Sequence, residues 1–130
     1  MIDTRPQPER VLLVGAPRQR TPDALALTEH LDELASLADT AGAVVVGRLT
    51  QTVKSPGSKF YIGSGKVDEV KAEAEAIKAT LIVFDEELSP GQGKNLEEAL
   101  GLRVMDRAEL ILDIFATRAR SRESKMQVEL

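Results

Sequence analysis

"TLIVFDEELSPGQGKNLEEALGLRVMD", residues 80–106, decides the fold. Its first part, "TLIVFD" (80–85), is a short continuous apolar run of the kind a fully buried strand requires. Ser89, Pro90 and Gln92 then stand in the order N-cap, N1 and N3, the capping-box pattern that opens a helix. Gly101 closes that helix, and "LRVMD" (102–106) reads as the next strand. A strand, a helix and a second strand in this order predict a parallel pair joined by a right-handed crossover.

The chain alternates in the same way on the N-terminal side. "RVLLVG" (10–15) is a buried strand, and "APRQRTPD" (16–23) is a loop with Thr21 and Pro22 at N-cap and N1 positions. From 24 to 41, Leu27, Leu31, Leu34 and Ala38 fall at helical spacing, and Gly42 ends the run. "AVVVGRLTQTV" (43–53) is β-branched and predicts a second strand, followed by a turn-rich "KSPGSK" (54–59). Val67, Val70, Ala74 and Ile77 form one face of another helix. Asp106 with Glu109 gives a second capping-box pattern, opening "RAELILDIFATRA" (107–119). The first and third strands are apolar on both faces, as strands covered from both sides must be. The expected fold is α/β: a four-stranded, mainly parallel sheet with helices on both faces, in the order 2-1-3-4 by analogy with flavodoxin-like sheets. Residues 1–9 read as a flexible lead-in, 10–119 as the α/β domain, and 120–130 as the start of a further helical segment. That last stretch stops after two or three turns without a closing signal.

Composition narrows the function classes. The chain has 130 residues, enough for one domain with a core that needs no disulfide or metal. No Cys is present, which excludes a disulfide framework, a Cys-ligated metal site and a thiol nucleophile. Aromatic residues make up 3% and Trp is absent, so the core must be aliphatic. The formal net charge of -4 argues against a wholly basic nucleic-acid binder but leaves room for a local basic patch. No apolar run approaches the roughly 18 residues a membrane helix needs, and the N-terminus has no apolar core of a signal peptide.

Two stretches resemble phosphate-binding loops. In "YIGSGKVDEV" (61–70) a Walker A loop would need Gly and Ser/Thr where Phe60 and Val67 stand. In "GQGKN" (91–95) Leu88 and Asn95 occupy those places. Neither is a P-loop, and "VGAPRQR" after the first strand is not a dinucleotide fingerprint. Gly63–Lys66 nevertheless places free backbone N–H groups and a lysine at a helix start, which can hold one phosphate of RNA or a small anion. The structural alternative is a tight turn made by Gly63 and Gly65 with Ser64 as the cap.

Asp85, Glu86 and Glu87 end the third strand, at the ligand-binding edge of open α/β sheets. "FDEELSPGQG" resembles the phospho-acceptor region of a receiver domain, but the acidic pair that would hold magnesium after the first strand is missing from "LLVGAP". The alternative is a solvated acidic loop before a helix. His30, the sole histidine, is read as having no Cys and no acid constellation to join, so neither a metal nor a catalytic role is expected. Arg118, Arg122 and Lys125 are spaced to share a helical face that either meets phosphates or is simply solvated.

Taken together, "DELASLADTAGAVVVG", "SPGSKFYIGSGKVDEV", "LIVFDEELSPGQGKNLEEAL" and "VMDRAELILDIFATRARSRESKMQVEL" resemble the N-terminal domain of the HflX-type ribosome-associated GTPases. The likeness runs from about Val11 to the end. Its signature residues are Tyr61, Ile62, Gly63, Gly65, Lys66, Phe84, Asp85, Glu87, Leu88, Ser89, Pro90, Gln92, Asn95, Asp106 and Arg107. The resemblance implies an α/β domain followed by a long helical hairpin and a GTPase domain with its own P-loop. It also implies large-subunit and rRNA binding, a part in ribosome splitting or rescue, and a cytoplasmic location away from membranes. GTP and magnesium would belong to the GTPase domain, the intramolecular partner. On this expectation the hairpin has only begun at "ESKMQVEL", the GTPase domain is absent, and this chain binds no cofactor or metal and is no enzyme. Lys66, Arg118, Arg122 and Lys125 are the expected RNA contacts. A second expectation, independent of the resemblance, is a small-molecule or nucleotide site at the C-terminal edge of the sheet.

Overall fold

The computed structural model describes residues 7–17, 26–51 and 59–116. The elements in chain order are β1 (Arg10–Gly15), α1 (Leu27–Thr40), β2 (Val44–Thr50), α2 (Ser64–Ala76), β3 (Leu81–Phe84), α3 (Pro90–Leu100) and β4 (Arg103–Asp106), followed by α4, helical over 107–116. All three strand pairs are parallel and the order is β2-β1-β3-β4, as expected.

Side-chain alternation along the two central strands divides the core. Leu12, Val14, Ile82 and Phe84 point to one face and pack against α2 and α3 through Val67, Val70, Leu96 and Leu100. Val11, Leu13, Leu81 and Val83 point to the other and meet Leu31, Leu34 and Ala38 of α1 with Leu110 and Ile114 of α4. Both faces of β1 and β3 are therefore covered, which is why their sequences show no polar alternation. Full burial of each such aliphatic side chain stabilises by about 1.5–3 kcal/mol.

The edge strand β2 carries a register shift opposite Val11 and Leu12, which pair with Val45 and Gly47. At Gly47 the space is tight: a Cβ would lie 2.9 Å from Ile77 Cδ1, at the C-cap of α2, so that side chain would have to shift to admit one. The helix ends follow the sequence logic. Ser89 Oγ accepts from Gln92 N and Gln92 Oε1 accepts from Ser89 N, each at 3.1 Å. Gly101 sits in the left-handed region at φ 70 and Gly42 at φ 86. One cap differs from expectation. The N-cap of α2 is Gly63, while Ser64 is already helical and no side chain caps the end. Thr21, Pro22 and residues 120–130 lie outside the described residues.

Candidate functional site

The register of β3 and β4 assembles the C-terminal edge. Phe84 pairs with Asp106, so the next residues, Asp85 and Arg107, emerge side by side. Arg107 Nε and Nη2 both reach Asp85 Oδ1, at 3.0 and 2.8 Å. Its remaining donors go to α1: Nη1 to Glu33 Oε2 at 3.2 Å and Nη2 to the His30 carbonyl at 2.9 Å. Burial tends to lower the Arg107 pKa, but hydrogen bonding and charge from Asp85, then Glu33, outweigh it and hold the guanidinium above its ordinary value. The Asp85 side chain is 4% exposed, with Oδ2 3.6 Å from His30 Nδ1. His30, Glu33, Asp85, Glu86 and Arg107 line a cleft of about 230 Å³.

This corrects two expectations. Asp85 is a buried, paired carboxylate rather than part of a solvated loop, and His30 does have acids beside it. Glu33 was missed as well. The available signal was positional: His30 and Glu33 lie at i and i+3 near the start of α1, the helix that follows β1 and flanks the edge where β3 ends.

Asp106 is a separate clamp. Its carboxylate, 3% exposed as a residue, accepts from Leu88 N at 3.0 Å and Glu109 N at 2.9 Å. It thereby caps α4 and holds the β3–α3 loop at once, and the Glu109 carboxylate takes a backbone hydrogen bond from Asp106 in return. Ser89, Pro90 and Gln92 act as the α3 cap, and Glu87 is exposed.

The remaining signature residues lie on the opposite face, at the start of α2. Tyr61 is buried and left-handed at φ 67, a conformation that costs an aromatic residue about 1–2 kcal/mol. Ile62 beside it is 1% exposed. Asn95 Nδ2 donates to the Lys59 carbonyl at 3.1 Å, tying this segment to α3, and Lys59 Nζ lies 5.3 Å from the centre of the Phe60 ring. Lys66 is largely covered and its Nζ lies 3.2 Å from Glu69 Oε2. Gly63 and Gly65 are exposed, and a Cβ at either would meet nothing within 4 Å. Arg118, Arg122 and Lys125 fall outside the described residues. Among the described residues no group of three or more ligands could hold a metal ion, and no helix is long and apolar enough to cross a membrane.

Comparison with known proteins gives a consistent picture. Residues 28–116 match the family described as GTP-binding GTPase N-terminal. A GTPase HflX of Lacrimispora saccharolytica is 46% identical over 130 residues, covering 100% of this chain and 30% of that protein. The GTPase HflX of Escherichia coli K12 is 45% identical over 102 residues, covering 78% of this chain and 24% of that protein. This chain thus spans less than a third of the length of these relatives. Among solved structures, a GTP-binding protein from the hyperthermophilic archaeon Sulfolobus solfataricus in complex with GDP superposes with a TM-score of 0.60 at 26% identity, over 82% of this chain and 30% of that one. A complex of SsGBP with GDP gives a TM-score of 0.63 at 28% identity, over 93% and 33%.

Proposed function

The chain belongs to the HflX GTPase family, in its N-terminal domain, and from that premise we propose that it is a module that docks on the large ribosomal subunit and contacts rRNA, in a protein that splits or rescues ribosomes in the cytoplasm. One observation carries the reading. Gly63 and Gly65 stand at an exposed helix start where neither intramolecular space nor backbone conformation calls for glycine: Gly63 has φ −67, and neither glycine has a positive φ. A bare backbone there suits a body that approaches from outside, and the free N–H groups of the first turn of α2 suit a phosphate. Lys66 adds charge at the same turn, and Arg118, Arg122 and Lys125 add further basic residues to the sequence. In this reading the chain is not itself an enzyme and binds no cofactor. GTP and magnesium belong to a separate GTPase domain, which the sheet end of this module contacts.

Cosedimentation with large subunits over a salt series tests it. Binding should weaken steeply with salt, as phosphate contacts require. Gly65→Ala should fold at least as stably as the parent, since Ala is the better helix former by roughly 1 kcal/mol, yet bind more weakly. Salt-independent binding, or full binding by the glycine variant, counts against the proposal.

The cleft at Asp85 supports a second reading, a small-molecule or nucleotide site at the sheet edge. Calorimetry with ATP and GTP separates the two: micromolar heats favour the cleft, and their absence leaves the docking module.

A further inference from the structure

Charge is segregated along the chain. From Ala41 to Val67 there is no Asp or Glu, in a protein that carries 21 of them, while Arg48, Lys54, Lys59 and Lys66 fall inside the stretch. Two cavities among the described residues are the reverse, with Glu33, Asp85 and Glu86 in one and Glu87, Glu97 and Glu109 in the other, each against a single base. A polyanion is therefore repelled from the cavities and admitted beside the start of α2.

Within the acid-free stretch, one aromatic ring reaches the surface. Phe60 packs against the core cluster beneath α2 and α3 yet stays partly exposed. Lys59, which is exposed, lays Nζ over the ring, 5.3 Å from its centre. The backbone is fixed on both sides of the pair. Asn95 Nδ2 holds the Lys59 carbonyl at 3.1 Å, and the next two residues, Tyr61 and Ile62, are buried. The bare helix start at Gly63 follows Phe60 by three residues, at most about 11 Å of extended chain.

A ring held in this way, beside a cation and a set of free N–H groups, offers what an unpaired nucleotide needs: a π-face for the base and positive charge for the phosphate. Lys59 does not block the ring. An exposed cation–π contact is weaker than base–aromatic stacking, so a base can take over the ring while the ammonium swings to the phosphate. A duplex keeps its base faces stacked inside and gains nothing from the ring.

We propose that Phe60 is a stacking platform for one unpaired base of RNA, with Lys59 and the first turn of α2 holding the adjoining phosphate. This rests on the docking reading above and names its partner as a single-stranded or looped element of RNA.

Fluorescence anisotropy of the intact chain with a labelled single-stranded RNA of about twelve nucleotides, and with the duplex of the same sequence, tests this. At about 50 mM salt the single strand should bind tighter by about tenfold or more. Phe60→Leu keeps an apolar side chain on the core but loses the π-face. It should weaken single-strand binding about tenfold and leave duplex binding and the salt slope unchanged, while Phe60→Tyr should bind like the parent. Lys59→Gln, which retains the carbonyl that Asn95 holds, should instead reduce the salt slope by about 0.7. Equal affinity for strand and duplex overturns the proposal, as does a Phe60→Leu variant that binds RNA like the parent. Cosedimentation with large subunits judges the docking reading separately. A chain that sediments with subunits but binds no free RNA, and does so equally well as Phe60→Leu, loses the platform only and points to a protein contact. A chain that does neither loses both.

Discussion

Arg107 turns two of its nitrogens to one oxygen of Asp85, and in doing so joins the ends of β3 and β4 to α1. Asp85 is almost fully covered while the guanidinium is 29% exposed. Removing the base therefore strands a buried carboxylate, whereas removing the acid leaves Arg107 with Glu33 and a carbonyl. Arg107→Ala should destabilise by about 2–3 kcal/mol, more than Asp85→Ala. Urea unfolding of both single variants and the double variant gives the coupling, and additive effects would falsify the link.

Asp106 serves two elements with one carboxylate, and its loss strands the buried amide of Leu88 as well as the start of α4. Asp106→Ala should cost about 3 kcal/mol, and Asp106→Asn, which keeps one acceptor, about half that. Ser89→Ala, by comparison, removes only a surface cap and should cost about 1 kcal/mol. Chemical denaturation of the three variants checks the ranking. Equal losses at Asp106 and Ser89 would refute the double role.

Glu109 gives a pH signature of unusual sign. Its folded pKa lies above the ordinary value of a glutamate, because of burial and then the Asp106 charge. The native state thus binds more protons than the unfolded state just above that value, and stability falls as pH rises through the window. Glu109→Gln keeps the capping geometry and removes the charge. It should be more stable than the parent at pH 7, with the advantage fading below about pH 4. Thermal melts across this range decide the matter, and a variant less stable at pH 7 excludes it.

Lys78 is exposed, with φ at 57, just beyond α2. Its conformational cost is not recovered by burial. Its carbonyl, with that of Ile77, accepts from the Arg10 side chain, and glycine keeps that carbonyl. Lys78→Gly should stabilise by about 0.5–1 kcal/mol, measurable as a raised denaturation midpoint. The same change at Tyr61, which shares the backbone conformation but is buried, should be destabilising, since about 3 kcal/mol or more of ring packing is lost.

Much of this architecture was legible in the sequence because it is locally encoded. The Ser89–Pro90–Gln92 cap, Gly101 and the two-faced apolar runs each name their element without reference to anything distant. The pairing of Asp85 with Arg107 was not legible. It depends on Phe84 lying opposite Asp106, a register that no local pattern states. His30 was misread partly for the same reason, since Asp85 is 55 positions away in the chain, although Glu33 three positions on was within reach of a local reading. Ser64 was misassigned as a cap because a glycine at N-cap leaves no side-chain signal of its own.

The order β2-β1-β3-β4 also sets a timetable. β1 pairs with β2 on one side and with β3, Val11 against Leu81, on the other. As the chain leaves the ribosome, the β1–α1–β2 unit emerges with one edge of its most apolar strand unfilled. It stays so until the segment up to Phe84 has been synthesised. Completion of the sheet is thus a late, long-range event, and the nascent chain carries an open strand edge for several seconds at typical synthesis rates of about 5–20 residues per second.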